Sequence, residues 1–391
     1  MPGERIRLYG ASWCVDCGRV KKLLGQNLLD FQWIDIEQDP EGMDFVQRTN
    51  EGKPVVPTLA LPDGATMTQP TNLELAEKLG VSEAGEVPFF DLVVVGGGPA
   101  GLTAALYAAR EGMETVVLEK SFPGGQAATT EWIENYPGFP EGVGGMDLSR
   151  RMEDQAKRFG VQIEFAEAQS LESRGRYRLV RTDSGDFAAW AVLIATGSSY
   201  RRLGAPGEER LIGRGVHYCA TCDGPLYKGH ELLVVGGGNS AAEEGFFLTK
   251  YASKVTLAVR RGDLSASQIL KDKVLSSSKM DVMYHTQVKE FRGDRRLESV
   301  LLRNSQTGQE QEFKTDGAFI FIGLDPNTQW LKGALELDPY GFVVTSNTLQ
   351  TSIPGVFAAG DGRASSTKQV ASAAGEGVTA ALMVRSYVRK D

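Results

Sequence analysis

Twice in this chain an apolar run ends in three consecutive glycines and then gives way to a helical pattern. Asp91-Leu-Val-Val-Val95 runs into Gly96-Gly-Gly98-Pro-Ala-Gly101, and Leu232-Leu-Val-Val235 runs into Gly236-Gly-Gly238-Asn-Ser-Ala241. A strand that turns into a helix within so few residues needs backbone conformations that glycine alone adopts freely. Helices that follow strands in this way are crossovers between parallel strands. The repeat therefore predicts an α/β chain with two βαβ units, about 140 residues apart.

Such a turn also leaves helix N–H groups bare at a positive helix end, where a pyrophosphate can approach closely. The two copies differ in what closes them. After the first, the strand Thr115 to Leu118 ends at Glu119, a carboxylate suited to accept hydrogen bonds from an unphosphorylated ribose, as in FAD. After the second, the strand Val255 to Val259 ends at Arg260-Arg261, guanidiniums suited to a 2′-phosphate and hence to NADPH over NADH.

Between the two turns and near the start of the chain lie Cys219-Ala-Thr-Cys222 and Cys14-Val-Asp-Cys17, which together hold all four cysteines. Each spacing lets two thiols close a small ring and exchange an electron pair. In a reducing compartment such economy points to redox chemistry more than to a structural disulfide framework. The N-terminal ten residues lack the apolar stretch of a signal peptide, and no apolar run approaches the ~18 residues of a membrane span, so the protein is expected in the cytoplasm. With 42 basic and 50 acidic residues, a net charge of -8 gives no ground for nucleic-acid or anionic-membrane binding.

Residues 1–80 read as a thioredoxin-like βαβαββα unit, with strands at Ile6 to Tyr9, Phe31 to Ile36, Thr58 to Leu61 and near Met67. Its helices follow Cys14, span Asp44 to Asn50 and run from Thr71 to Leu79. Cys14 is expected just ahead of a helix, where the dipole favours its thiolate, with Cys17 more buried as the resolving thiol. Pro57, at the start of a strand, is expected to be cis and to present Val56 backbone groups to an incoming chain. Residues 81–88 carry Gly85 and Pro88 and read as a flexible linker that reaches at most about 28 Å. Trp132, Trp190 and Trp330 read as packing residues.

Residues 1–80 resemble glutaredoxins of the mycoredoxin kind, through Trp13-Cys-Val-Asp-Cys17, Trp33-Ile-Asp-Ile-Glu-Gln-Asp-Pro40 and Val56-Pro57-Thr58. Residues 88–391 resemble low-molecular-weight thioredoxin reductases through the two glycine turns and five further motifs. These are Pro123-Gly-Gly-Gln126, Glu134-Asn-Tyr-Pro-Gly138, Ala195-Thr-Gly197, Cys219 to Gly224, and Gly355 to Asp361 with Gln369. The resemblance implies a Rossmann-like FAD domain in two pieces (89–202 and 325–391), an inserted NADPH domain carrying the dithiol (203–324), and a homodimer. It implies FAD contacts from Gly96, Gly98, Pro99, Ala100, Gly101, Glu119, Gly125, Gln126, Asn135, Thr196, Gly197, Gly360, Asp361 and Gln369. For NADPH it implies Gly236, Gly238, Asn239, Ser240, Arg260 and Arg261, although Val259 and Ser265 stand where the family commonly has a His and a further Arg. Catalysis falls to Cys219, Cys222 and Asp223, the last as acid or base for the thiols, and onward transfer to Cys14 and Cys17, with Trp13, Val56 and Pro57 receiving substrate.

The expected activity is NADPH-dependent reduction of a protein or low-molecular-weight disulfide, with thioredoxin, glutaredoxin and peroxiredoxin-type proteins as candidate partners. A peroxiredoxin reductase of the alkyl hydroperoxide type, a flavin-dependent sensor or scaffold, and a zinc protein are the alternatives. The 202 positions between Cys17 and Cys219 disfavour a shared metal, and none is expected.

Overall fold

The computed structural model describes residues 5–130 and 132–389; the expectation placed on the first ten residues therefore lies partly outside the described residues. The chain divides into two compact units: residues 1–128, 147–197 and 326–391 form the first, and residues 129–146 and 198–325 the second.

The first unit begins with β1 (Ile6–Gly10), α1 (Val15–Gln26), β2 (Phe31–Asp35), α2 (Pro40–Thr49), β3 (Thr58–Ala60), β4 (Thr66–Thr68) and α3 (Asn72–Leu79). The sheet order is β2-β1-β3-β4, with β2 parallel to β1 and β3 and β4 antiparallel, which is the expected thioredoxin-like arrangement. Helix α2 starts four residues before the expected Asp44, because Asp39 caps it through the N–H groups of Glu41 and Gly42 and Pro40 fits its first turn. Thr71 and Glu74 close α3 with a reciprocal capping box.

Next come β5 (Phe89–Val95), α4 (Pro99–Arg110), β6 (Thr115–Glu119), α5 (Gly125–Ala128), α6 (Gly145–Arg158), β7 (Gln162–Phe165), β8 (Ala168–Arg174), β9 (Tyr177–Thr182) and β10 (Gly185–Ile194). The second unit carries β11 (Ser198–Tyr200), α7 (Glu208–Leu211), β12 (Val216–His217), α8 (Ala220–Asp223), β13 (Glu231–Val235), α9 (Asn239–Leu248), β14 (Lys254–Ala258) and α10 (Gln268–Ser276). It continues through β15 (Met280–Met283), β16 (Thr286–Arg292), β17 (Ser299–Asn304), β18 (Glu310–Lys314), β19 (Gly317–Ile320) and β20 (Leu324–Pro326). The chain then returns to the first unit with β21 (Val356–Ala358) and α11 (Val370–Val388).

The large sheet of the first unit runs β7-β6-β5-β10-β9-β8, with β21 also beside β10. Strands β7, β6, β5, β10 and β21 are parallel neighbours, as βαβ crossovers demand, while β8 and β9 add an antiparallel meander. In the second unit β12-β19-β13-β14-β15 form a parallel sheet, and β16-β17-β18 a separate antiparallel one.

The segment between α3 and β5 corrects one expectation. It is not a free tether: the Glu86 and Val87 N–H groups donate to the Gln26 carbonyl at 2.9 and 3.1 Å, and the Asn27 amide donates to the Ser82 carbonyl at 3.0 Å. Beneath it the redoxin and the large sheet share one apolar core, in which Leu8, Leu23, Leu24, Phe31 and Leu75 join Phe89, Tyr177, Leu179 and Trp190. Trp190 packs edge-on against Phe31 and Phe89 and stacks on Tyr177, as befits a packing residue, whereas Trp132 is exposed, against expectation. The Tyr177 hydroxyl donates to the Leu29 carbonyl at 2.7 Å, and Arg176 lies over the Phe31 and Trp190 rings. Gly25 sits inside a helix for the same reason, since a side chain there would collide with the Phe89 ring.

Candidate functional site

In the first unit, Gly96 leaves β5 at a φ of +108°, and a side chain on it would strike the Ala195 carbonyl 2.4 Å away. Gly101, one turn into α4, lets the helix lie against the Gly96 carbonyl, which an added Cβ would meet at 1.9 Å. Gly98 caps α4 with no side chain of its own, so the first-turn N–H groups keep the polarity that attracts a phosphate. Glu119, buried at the end of β6, accepts from the Gly97 N–H at 2.8 Å and from Ser121, which fixes its carboxylate against the turn.

Three more segments converge on this turn. Gly124 donates to the Gly97 carbonyl at 2.8 Å and so seats Gly125 and Gln126 beside it. Gly360 approaches Ala100, and Gly362 approaches Gly197, closely enough that side chains on either would touch. The Thr196 hydroxyl is buried without a partner, while the Thr196 carbonyl accepts from Asn327 at 2.9 Å. Asp361 sits beside Ser366, its carboxyl pushed above the ordinary range by burial, and Lys368, held below its usual range by burial, donates to the Asp361 carbonyl at 2.6 Å. A half-buried Arg363–Glu376 pair at 2.6 Å anchors the same loop, and Glu376 also accepts from the Gly360 N–H at 2.7 Å.

A bare helix end, an orphaned threonine hydroxyl and close-approach glycines fit a dinucleotide such as FAD. Pro99 and Ala100 open α4, and Gln369 caps α11. Asn135 lies in the segment 129–146, which belongs to the second unit. Lys368 and the Arg363–Glu376 pair are not among the residues expected here, although Lys368 directly precedes the motif glutamine and Glu376 lies within α11.

In the second unit the turn repeats with Gly236 at a φ of +144°, against the Phe321 carbonyl. Gly238 caps α9 without a side-chain bond, with Asn239 and Ser240 exposed in the first turn. The Asn239 side chain accepts from the Ser267 N–H at 2.7 Å. Ser265 donates its hydroxyl to the Gly237 carbonyl at 3.1 Å, and Val259 packs where a side chain on Gly237 would stand, so both substituted positions support the turn. Arg260 and Arg261 are exposed, and neither guanidinium has a hydrogen-bond or ion-pair partner among the described residues. Two unengaged cations at the end of β14 fit a phosphate on a bound nucleotide.

The two dithiols share one local geometry. Cys219 caps the short helix α8 and accepts from the Cys222 N–H at 3.2 Å; Cys14 caps α1 and accepts from the Cys17 N–H at 3.1 Å. Both pairs are disulfides with Cα atoms 5.3 Å apart. Asp223 follows Cys222 directly and is 3.2 Å from the Nδ1 of buried His217. In the redoxin, Cys17 is buried behind the more accessible Cys14, and Gly10 makes room for its sulfur. Trp13 is 68% exposed and donates to Glu37 at 3.0 Å, while Asp16 pairs with Arg19 at 3.2 Å. The Val56–Pro57 peptide is cis, and the Val56 carbonyl already accepts from Gln69 at 3.1 Å, which leaves it less free for a substrate backbone than expected. Among the described residues no cluster of three or more His, Cys, Asp or Glu could hold a metal ion, and no helix is long and apolar enough to cross a membrane.

Comparison with known proteins gives two family matches. Residues 90–377 fit the family described as pyridine nucleotide-disulphide oxidoreductase, and residues 6–64 fit glutaredoxin. The chain is 42% identical over 306 residues to the thioredoxin reductase of Bacillus subtilis (strain 168), across 78% of this chain and 96% of that relative. Against the thioredoxin reductase structure from Streptococcus pyogenes MGAS5005 the TM-score is 0.76 at 40% identity, covering 78% of this chain and 99% of the other. The thioredoxin reductase of Giardia duodenalis gives 0.74 at 33%, covering 77% and 99%. The chain therefore belongs to the pyridine nucleotide-disulphide oxidoreductase family, as an FAD- and NADPH-using enzyme of the thioredoxin reductase type with an N-terminal glutaredoxin domain.

Proposed function

We propose that this enzyme passes electrons from Cys219/Cys222 to its own redoxin pair, Cys14/Cys17, and from there to an external protein or low-molecular-weight disulfide. Thioredoxin-type disulfides are among the substrates this reading allows. Bound NADPH and FAD supply the electron pair that opens the Cys219–Cys222 disulfide. We assign FAD to the Gly96–Gly101 turn, Glu119, Thr196 and Asp361, and NADPH to the Gly236–Gly238 turn with Arg260 and Arg261.

From there the chemistry is thiol–disulfide exchange. The Cys219 thiolate attacks the Cys14 sulfur, and Cys17 leaves as a thiolate. Cys222 then attacks Cys219, the disulfide of the second unit closes, and Cys14 is released with both electrons now on the redoxin. Asp223 takes the proton that Cys222 loses. The observation that carries this reading is the matched pair of helix-capping dithiols, in each of which the capping sulfur accepts from the N–H of the cysteine three residues on. A homodimer is the working form this reading expects.

Steady-state NADPH oxidation with hydroxyethyl disulfide tests the route. Cys219→Ser and Cys14→Ser should each abolish turnover of a substrate that needs the redoxin. Full activity in Cys14→Ser would reduce the N-terminal domain to an accessory.

A further inference from the structure

His217 lies on β12, two residues before Cys219, with its side chain only 3% exposed. Its ring stacks on Phe319 of β19, with centroids 5.2 Å apart. Both ring nitrogens are engaged: Nδ1 lies 3.2 Å from the Asp223 carboxylate and Nε2 lies 2.7 Å from the Tyr227 hydroxyl. A carboxylate facing Nδ1 calls for the proton on that nitrogen, and the neutral tautomer that carries it there leaves Nε2 to accept from Tyr227. The groups that face the ring are therefore Asp223 from α8, Tyr227 from the 3₁₀ turn Gly224–Tyr227, and the apolar face of Phe319. Beyond Tyr227 stands His230, itself paired with Asp316 at 2.8 Å.

A core histidine with both nitrogens satisfied is commonly no more than structural. This one ends on the carboxylate next to Cys222. We propose that His217 is a positioning residue for the dithiol: its Nδ1–H holds the Asp223 carboxylate oriented to accept the proton of Cys222. The inference rests on the reading that Asp223 serves Cys219/Cys222, and is independent of whether electrons then pass to Cys14. The step it acts on is closure. When a Cys219 mixed disulfide is present, Cys222 gives its proton to Asp223 and attacks the Cys219 sulfur. A new Cys219–Cys222 bond forms, and the bond to the outgoing thiolate breaks. Without that donor the carboxylate is no longer held in place, so loss of His217 slows closure and leaves the first attack untouched.

The test uses full-length enzyme with Cys14 and Cys17 replaced by Ser, reduced with dithiothreitol, desalted, and mixed with DTNB across pH 5 to 9. The first thionitrobenzoate released reports Cys219 attack and the second reports closure by Cys222. In His217→Phe, which keeps the stack on Phe319, the second release should be about tenfold slower, with the first release unchanged. Superimposed second-release profiles would overturn the proposal, provided Asp223→Asn alters its own profile. If Asp223→Asn alters nothing, the base role of Asp223 fails and the proposal with it.

A second measurement needs no His217 variant to fold. Ring ¹⁵N shifts should show His217 as the Nδ1–H tautomer in the parent protein. An Nε2–H tautomer in the parent would overturn the proposal.

Discussion

Arg260 and Arg261 face solvent at the end of β14 with no protein partner among the described residues, an arrangement that leaves both guanidiniums available to a phosphate. Replacing both by Ala should lower kcat/KM for NADPH roughly 10- to 100-fold, from the loss of charge-assisted hydrogen bonds, and leave the value for NADH nearly unchanged. Equal losses for the two nucleotides in steady-state kinetics would remove the phosphate assignment. Asp361 offers a second case. Burial raises its carboxyl above the unfolded value, so the contribution it makes to stability is complete below the ordinary range near pH 4 and is lost as pH rises through the raised value. Asp361→Asn should therefore melt higher than the parent as apoprotein at pH 7, with the gap closing toward pH 3, and should retain FAD less well. An apoprotein gap that grows on acidification would contradict this.

The residues of the two glycine turns were legible because their meaning is local: a φ near +108° at Gly96 and +144° at Gly236 is a demand that sequence states directly. The Asp223–His217–Tyr227 arrangement was not, because it depends on how β12 folds beside β19. The glycine turns also show why Lys368 escaped notice, since its approach to Asp361 depends on the loop that follows β21.

At the scale of elements, the junction between α1, β2, β5, β9 and β10 joins the redoxin to the large sheet. Trp190→Ala would remove the ring that touches Phe31, Phe89 and Tyr177, at a cost of about 3 kcal/mol. Tyr177→Phe would lose the bond to the Leu29 carbonyl, at a cost of about 1 kcal/mol. Both should speed cleavage by a Glu-specific protease at Glu83 and Glu86, Trp190→Ala by far the more, as followed by mass spectrometry. Unchanged cleavage in Trp190→Ala would mean that the docking does not depend on this core. The redoxin's strands and helices were legible from period and caps, and the thioredoxin-like order follows from them. The start of α2 was signalled by Asp39-Pro40, a capping residue before a first-turn proline. The docking was not legible, because Phe31, Phe89 and Trp190 are far apart in sequence and Gly85 and Pro88 read as breakers regardless of what they pack on.

At the scale of the whole molecule, the chain belongs to a disulfide oxidoreductase family and carries a second dithiol in a domain that packs on the large sheet within the first unit. Family membership and cofactors were legible from motifs, since both nucleotide turns and both Cys-x-x-Cys pairs are contiguous. The route between the dithiols belongs to no contiguous motif, and its direct signature is the mixed disulfide. In Cys17→Ser/Cys222→Ser enzyme the only thiols left are Cys14 and Cys219, and mild oxidation should join them. Peptide mapping by mass spectrometry should find a Cys14–Cys219 linkage as the main product. A non-reducing gel shows whether it lies within a chain or joins two copies. If oxidation yields only Cys14–Cys14 and Cys219–Cys219 linkages, or none, the relay through the fused redoxin is contradicted.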